Sequence, residues 1–438
     1  MHANRGVIGT LFATTCIWAL PALAQDCEWE GLDATARAGG ESRRQMVVYD
    51  DGRGPALYVA AGDLIVDGEN LGLIARFDGD AWSAVGHPGR VLVSAMDALD
   101  LGDGTRLYAA FGDGFVSTIH VLEGEQWVPF SPELDGVART LTAFDDGSGP
   151  LLYASGEIST DIDGRRVRGV VRLEDDDWAG FGSTGGADGV LGVVGHMVVY
   201  DDGRGAALYL GGDFVQPDDP RLDRGLVRWD GAAFSVIDGS RQLNVQDMLV
   251  FDDGDGEALY IGGASVLPGL PFEVGVVKWD GVAWDGLGDE FDDDVLSLAA
   301  FDRGDGSSLY AGGRFGEIGD REIESIARWD GAAWQPLEQP LEDGVIVIEG
   351  WDDGGLRGLY AVGGPEFIEG RFIGNVPRWP GCLPCQADLD GDGELTIFDF
   401  FEFQNLFDAA DPRADFDGDG SLTIFDFLAF QSAFDAGC

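Results

Sequence analysis

Basic residues are scarce in this chain. Lysine and arginine together number 27 against 79 aspartates and glutamates, a net charge of −52. A surface so acidic repels nucleic acid and anionic membranes, which excludes the polyanion-binding classes and favours cations and solubility. Histidine is rarer still, at four. His87, His120 and His196 fall at unrelated positions, so no histidine-based catalytic pattern stands out. Cysteine numbers five. Long apolar runs are absent after the first residues, so no later segment is expected to cross a membrane.

The N-terminus pairs Arg5 with an apolar stretch, Val7 to Leu20, followed by Ala22-Leu23-Ala24. A run too short to span a bilayer, ahead of small residues, reads as a signal peptide over residues 1–24. An exported, extracellular or cell-surface protein is therefore expected. Cys27, Cys382, Cys385 and Cys438 then remain, an even count that suggests two disulfides with three possible pairings.

What is abundant is repetition. Leu-Tyr recurs at Tyr58, Tyr108, Tyr153, Tyr209, Tyr260, Tyr310 and Tyr360, in steps of 50, 45, 56, 51, 50 and 50 residues. The fourth copy is clearest. Met197–Tyr200 reads as a strand, Asp201-Asp202-Gly203-Arg204-Gly205 as a turn, and Ala207–Gly211 as a second strand. Gly225–Trp229, the hairpin signal Asp230-Gly231 and Ala233–Val236 complete a four-stranded unit. Four short strands in about 50 residues match a propeller blade of the kelch length class. The expected fold is all-β: a seven-bladed propeller over residues 25–382, with a small helical domain over 383–438. A monomer is expected.

Aromatic residues recur in register. Phe77, Trp229, Trp279, Trp329 and Trp379 share a third-strand position; Trp82, Trp127, Trp178, Phe234, Trp284 and Trp334 share a fourth-strand one. Residues repeated in every blade fill the widening gap between twisted sheets, so these are read as core rather than as a sugar platform. The seventh copy lacks its fourth-strand tryptophan, and Glu28-Trp29-Glu30-Gly31-Leu32 supplies the matching pattern. The N-terminal strand is thus expected to complete the last blade and leave no open edge. That register puts Cys27 and Cys382 at one turn position, where a disulfide would contribute about 5 kcal/mol on chain-entropy grounds.

The repeats resemble bacterial extracellular propeller repeats of the form L-Y-x-G-G-x-F…A-R-W-D-G-x-x-W. Leu309–Phe315 and Ala327–Trp334 follow the form closely. The second and third copies carry Leu122-Glu123-Gly124 and Leu173-Glu174-Asp175 in place of Trp-Asp-Gly, so they are expected to be the least regular. The resemblance implies a fold, not an activity.

After Cys385 the pattern changes. Asp388, Asp390, Asp392, Glu394, Thr396 and Asp399 occupy positions 1, 3, 5, 7, 9 and 12 of an EF-hand loop, with Gly393 at the sharp turn. Asp415, Asp417, Asp419, Ser421, Thr423 and Asp426 repeat it 27 residues on. Oxygen-only ligands suit calcium, and two ions are expected. Residues 386–438 carry thirteen carboxylates and one base, Arg413, so this segment is expected to need cations to fold. A loop followed by one helix, duplicated at this spacing, resembles the type I dockerin, and the terminal Gly437-Cys438 is similar to a subgroup of exported dockerin-bearing proteins. The resemblance implies a cohesin-like or cell-surface partner. Ile397-Phe398 and Ile424-Phe425 stand at the recognition positions, a departure from cellulosomal pairing. The helices carry more apolar residues than one small core needs, which leaves tight packing and partner surface both open. Cys385 and Cys438 bracket the module and form the favoured second disulfide, with Cys382–Cys385 the competitor and attachment through Cys438 a further use.

No nucleophile, acid or base is singled out. The acidic pairs Asp50-Asp51, Asp201-Asp202 and Asp252-Asp253 recur as turn residues, and the irregular segments 159–168, 213–224 and 263–273 are better places for function. The reading is a calcium-binding, dockerin-anchored propeller that binds a glycan or protein. The alternative is a secreted carbohydrate-active enzyme, glycoside hydrolase or lyase, whose carboxylates would stand about 5–10 Å apart in a cleft.

Overall fold

The computed structural model describes residues 29–436, apart from 33, 38–44, 90–91, 163, 182–187, 216–224, 241–242, 266–273, 304–305, 338, 342–343, 352–356, 364–365, 369–370, 375, 382–386, 388, 390–395, 410, 415 and 417–420. The leader, every cysteine, and Asp388, Asp390, Asp392, Glu394, Asp415, Asp417 and Asp419 lie outside these residues. Two compact units divide the chain. One is Cys27–Gly381, and the other contains Cys382–Cys438.

Cys27–Gly381 is a propeller-like all-β unit of antiparallel sheets. In the fourth copy Leu191–Asp201, Ala206–Val215, Gly225–Trp229 and Phe234–Val236 pair in chain order. The first strand carries a register shift between Val194 and His196, and most copies have its counterpart. In the first copy, Ala34–Arg37 adds to the far end of Pro55–Val66. In the seventh, Val345–Trp351, Gly358–Gly363 and Pro377–Trp379 take Glu30–Gly31 as their fourth strand, with Glu30 opposite Arg378 and Gly31 opposite Pro377. Continued by one residue, this is the register in which Trp279 faces Trp284 in the fifth copy.

The recurrent motifs are one structure seen in pieces. In the turn between the first two strands, Asp201 Oδ1 accepts from the N–H groups of Gly203 and Gly205, both at 2.9 Å. Both glycines have positive φ, 86° and 101°, which a side chain would strain. Asp202 turns inward and accepts the Tyr209 hydroxyl at 2.6 Å, with Arg204 and Arg228 on the same carboxylate. Asp51 with Tyr58, Arg53 and Arg76 repeats this, as does Asp253 with Tyr260 and Lys278. The acidic pairs are thus turn and anchor: one carboxylate shapes the backbone, the next satisfies the buried tyrosine.

The tryptophans bind copy to copy. Trp178 Nε1 donates to Pro132 O, Trp284 to Asp238 O, Trp334 to Leu287 O and Trp82 to Leu32 O, at 2.7–3.1 Å. Trp29 donates to Gln339 O at 3.0 Å in the same manner, across 310 residues of chain. Apolar clusters lie between successive sheets, and one joins Trp351, Tyr360 and Val376 of the seventh copy to Leu57, Val59 and Phe77 of the first.

The second and third copies differ in a definite way. In the first, fourth, fifth and sixth copies Asp-Gly opens a four-residue loop: in the fourth, Trp229 faces Phe234, and Asp230 Oδ1 accepts from Ala232 and Ala233. In the third copy Glu174 faces Asp177, leaving a two-residue turn with Asp175 and Asp176 at φ 51° and 64°. The second copy turns as tightly at Gly124-Glu125. These two copies also share a sheet, because Leu134 and Asp135 pair with Ser117 and Val116. Their hairpins are regular, and the expected irregularity lies in this shared edge.

In the other unit, α1 (Ile397–Asp408) and α2 (Ile424–Ala436) enclose a phenylalanine core. Phe403 stacks on Phe430 at 4.6 Å, and Phe400 meets Phe430 and Phe434 edge-on. No helix among the described residues is long and apolar enough to cross a membrane.

Candidate functional site

The first strands of the copies follow one another in space: Gln45–Asp50, Leu92–Asp100, Leu134–Asp145, Leu191–Asp201, Asp247–Asp252, Val295–Asp302 and Val345–Trp351, the last returning to the first. The space they enclose is called the channel below. Strand pairing makes positions comparable. The residues facing the repeated tyrosines are Val47, Asp97, Thr142, Val198, Leu249, Ala299 and Glu349. Two residues earlier stand Gln45, Ala95, Thr140, His196, Asp247, Ser297 and Val347. Three carboxylates therefore occupy places where the other copies carry aliphatic or polar residues without a carboxylate, so repetition does not explain them.

Their electrostatics is unusual for so acidic a protein. Burial pushes Glu349 up to about 8, reinforced by the charges of Asp97 and Asp247. Burial raises Asp97 to about 7 against a hydrogen bond from the Ala98 N–H. Asp247 rises to about 6, again by burial, although it accepts from the Leu298 and Met248 N–H groups at 2.8 Å and from Ser297. By surface area all three are half-buried. His196 stands with Nδ1 at 3.6 Å from Asp247 Oδ1. A cleft of about 310 Å³ adjoins His196 and is lined by Arg139, Glu157, Asp213, Asn244 and Gln246.

His120 is buried and stands edge-on to Phe111 at 5.1 Å, and desolvation lowers its pKa against a hydrogen bond to the Thr118 carbonyl. His87 lies at the surface. Segment 159–168 is the end of a regular hairpin, with Ser159 opposite Arg168. The described ends of segments 213–224 and 263–273 are strand.

At the start of each C-terminal helix, the expected calcium ligands have a second structural duty. Thr396 caps α1, its hydroxyl accepting from the Phe398 N–H at 3.1 Å. Asp399 Oδ2 accepts from the Thr396 N–H at 2.8 Å, a capping box. Thr423 and Asp426 repeat both bonds at α2. Asp399 and Asp426 are fully buried. Asp399 Oδ1 also accepts from the Leu389 N–H at 2.8 Å, which folds position 2 of the loop against position 12. A carboxylate buried at position 12 and tied to position 2 fits the closing end of a calcium loop, whose Asp388, Asp390, Asp392 and Glu394 lie outside the described residues. Ser421, at position 7 of the second loop, is exposed. Among the described residues, no three Asp, Glu, His or Cys side chains are gathered as a metal set.

The surplus of apolar residues divides cleanly. Phe400, Phe403, Leu406, Phe407, Phe427, Phe430 and Phe434 pack inward. Ile397, Phe398 and Phe401 on α1, and Ile424, Phe425 and Leu428 on α2, are 52–63 % exposed. They occupy the same three places in each half of the duplication.

No protein-family model and no curated protein matches the chain. Among solved structures, it is similar to one described as "Structure of Dos1 propeller", at 10 % identity and a TM-score of 0.42, over 80 % of this chain and 95 % of that one.

Proposed function

We propose that the protein is a secreted binding ring: a seven-bladed propeller of kelch-like repeats, closed by its N-terminal strand, with a dockerin-like, calcium-loaded tail that docks on a cohesin-like or cell-surface partner. The observation that carries the docking role is the duplicated exposed face, Ile397, Phe398 and Phe401 with Ile424, Phe425 and Leu428. Six large apolar side chains left in water at equivalent places are a cost that a partner removes, at about 25 cal/mol per Å² covered. Two calcium ions would be held by Asp388, Asp390, Asp392, Glu394, Thr396 and Asp399, and by Asp415, Asp417, Asp419, Ser421, Thr423 and Asp426. Their charge would offset the carboxylates of the loops. Supporting the ring are the strand pairing at Glu30 and the apolar cluster between last and first copies.

The test is binding of the full chain to purified cell-surface fractions, with calcium and with chelator. Binding should need calcium and be lost in Phe398→Ser combined with Phe425→Ser, while calcium uptake persists. Undiminished capture by that double variant refutes the docking face.

A second reading, a secreted carbohydrate-active enzyme, draws on the channel carboxylates, since a raised glutamate such as Glu349 suits a general acid. It requires polysaccharide turnover that Glu349→Gln abolishes. The binding ring requires retention without turnover.

A further inference from the structure

The tail holds a groove that its exposed apolar face does not account for. We propose that this groove, between α1 and the start of α2, seats an aromatic side chain of a protein partner that carries lysine or arginine next to it. The inference rests on the docking reading of the tail, and it names the chemistry of the segment that docks.

Three observations carry it. First, the groove has a volume of about 420 Å³, and its apolar lining is Phe400, Phe401, Phe403 and Phe407 of α1 with Ile424 and Phe427 of α2. Such a size and lining suit one anchoring side chain with its surroundings. Second, the groove is bounded by both halves of the exposed face. Phe401 belongs to the α1 triplet and Ile424 to the α2 triplet, and both line it. A partner that covers the two triplets therefore covers the groove. Leaving it empty would forfeit contact at the centre of the interface, where anchoring side chains contribute most. Third, the polar lining is unpaired and of one sign. Thr423 is spent on the α2 cap, its hydroxyl accepting from the Phe425 N–H. Gln404 and Asp408 are exposed, and their side chains make no hydrogen bond or ion pair among the described residues. Arg413, the one base of residues 386–438, is tied to Asp411 through Nε and Nη2. The groove thus offers a carboxylate that the tail itself leaves without a cation.

Charge decides between occupants. A second copy would bring the same thirteen carboxylates and one base to this face, and an anionic membrane would be repelled as well. A segment with an aromatic residue for the groove and a cation for Asp408 meets both features.

Random linear peptides displayed on phage and selected against the full chain in calcium report this chemistry directly. Recovered peptides should place Trp, Tyr or Phe next to Lys or Arg. Their dye-labelled synthetic copies give affinities by fluorescence polarisation. Gln404→Trp fills the groove from an exposed position and should weaken binding about tenfold or more, with the melting temperature unchanged. Asp408→Lys places a cation in the last turn of α1, which a helix tolerates well, so the chain should stay folded. It should weaken basic peptides about fivefold and favour versions with Glu in place of the base. Recovery of no peptide, or of peptides lacking the aromatic–basic pair, overturns the inference. Unchanged affinity in both folded variants overturns it equally. So does competition by a neutral oligosaccharide, or self-association in sedimentation that Gln404→Trp removes. Cell-surface capture separates this inference from the docking face. Capture that is lost in Phe398→Ser with Phe425→Ser but kept in Gln404→Trp overturns the groove and leaves the face standing.

Discussion

Replacing Glu349 by glutamine should stabilise the ring at alkaline pH and do little in acid. Glutamine keeps the shape and removes the titration. Glu349 has its folded-state value raised from 4.5 to about 8, so the folded chain holds this proton more tightly than the unfolded one. The contribution is full below about pH 4.5 and is lost as pH rises through 8. At 1.36 kcal/mol per unit, the loss is roughly 4–5 kcal/mol. A unit the length of Cys27–Gly381 has an unfolding entropy on the order of 0.7 kcal/mol/K, so the variant should melt about 5–7 °C above the parent at pH 8.5. Near pH 4.5 the two should coincide. Calorimetric melts of both chains across this range, in constant salt, give the comparison. The parent's own curve also carries repulsion among many surface carboxylates, so the difference between the chains is the quantity to read. A Glu349→Gln chain that melts with or below the parent at pH 8.5 would refute the buried-repulsion account.

Other consequences are as direct. Asp202→Ala strands the Tyr209 hydroxyl and two guanidiniums around a fully buried side chain, and should cost about 3 kcal/mol in denaturant melts, against about 1 kcal/mol for Tyr209→Phe. Hydrogen bonds from Arg204 and Tyr209 outweigh burial and hold Asp202 below its usual range, so its contribution is present above about pH 4 and lost as acid protonates it. Trp29→Ala removes a buried ring and the bond to Gln339 O; about 3–5 kcal/mol of lost stability and faster proteolysis should follow. Chelation should abolish the helical dichroism of α1 and α2, and an unchanged spectrum would contradict calcium-dependent folding of the tail.

Much of the sheet structure can be read from the sequence because each copy states it again. Leu-Tyr, Asp-Asp-Gly and the paired aromatics mark strands and turns, and Trp29 is recognisable as the missing member of a series. The chemical link between those motifs is not legible. Nothing in a linear reading says that the second aspartate of the turn meets the tyrosine seven residues on and the arginine of the third strand. The channel escaped for a different reason. Asp97, Asp247 and Glu349 are single departures inside strands, and attention goes naturally to loops. A signal existed, since Asp97 and Glu349 lie eleven residues before their tyrosines, where Val47, Thr142, Val198, Leu249 and Ala299 also stand. In a repeat protein, the residues that break the pattern at a structurally fixed place are the ones to question. In the tail, the two helices were legible from the duplicated loop-then-helix spacing. The division of phenylalanines between core and surface depends on helix pairing and was not.

The pairing of Trp29 and Glu30 with the seventh copy also sets an order of events. Residues made among the first must wait for residues near 378 before their hydrogen bonds exist. A chain emerging N-terminus first therefore passes through every other sheet before its closing step, with Pro377–Trp379 presenting an open strand edge in the meantime. Closure is then a late, single event between distant segments, and reopening it releases the first-made end alone. A chain stopped short of residue 377 can form most of its sheets and still lack the pairing that gives the seventh its fourth strand.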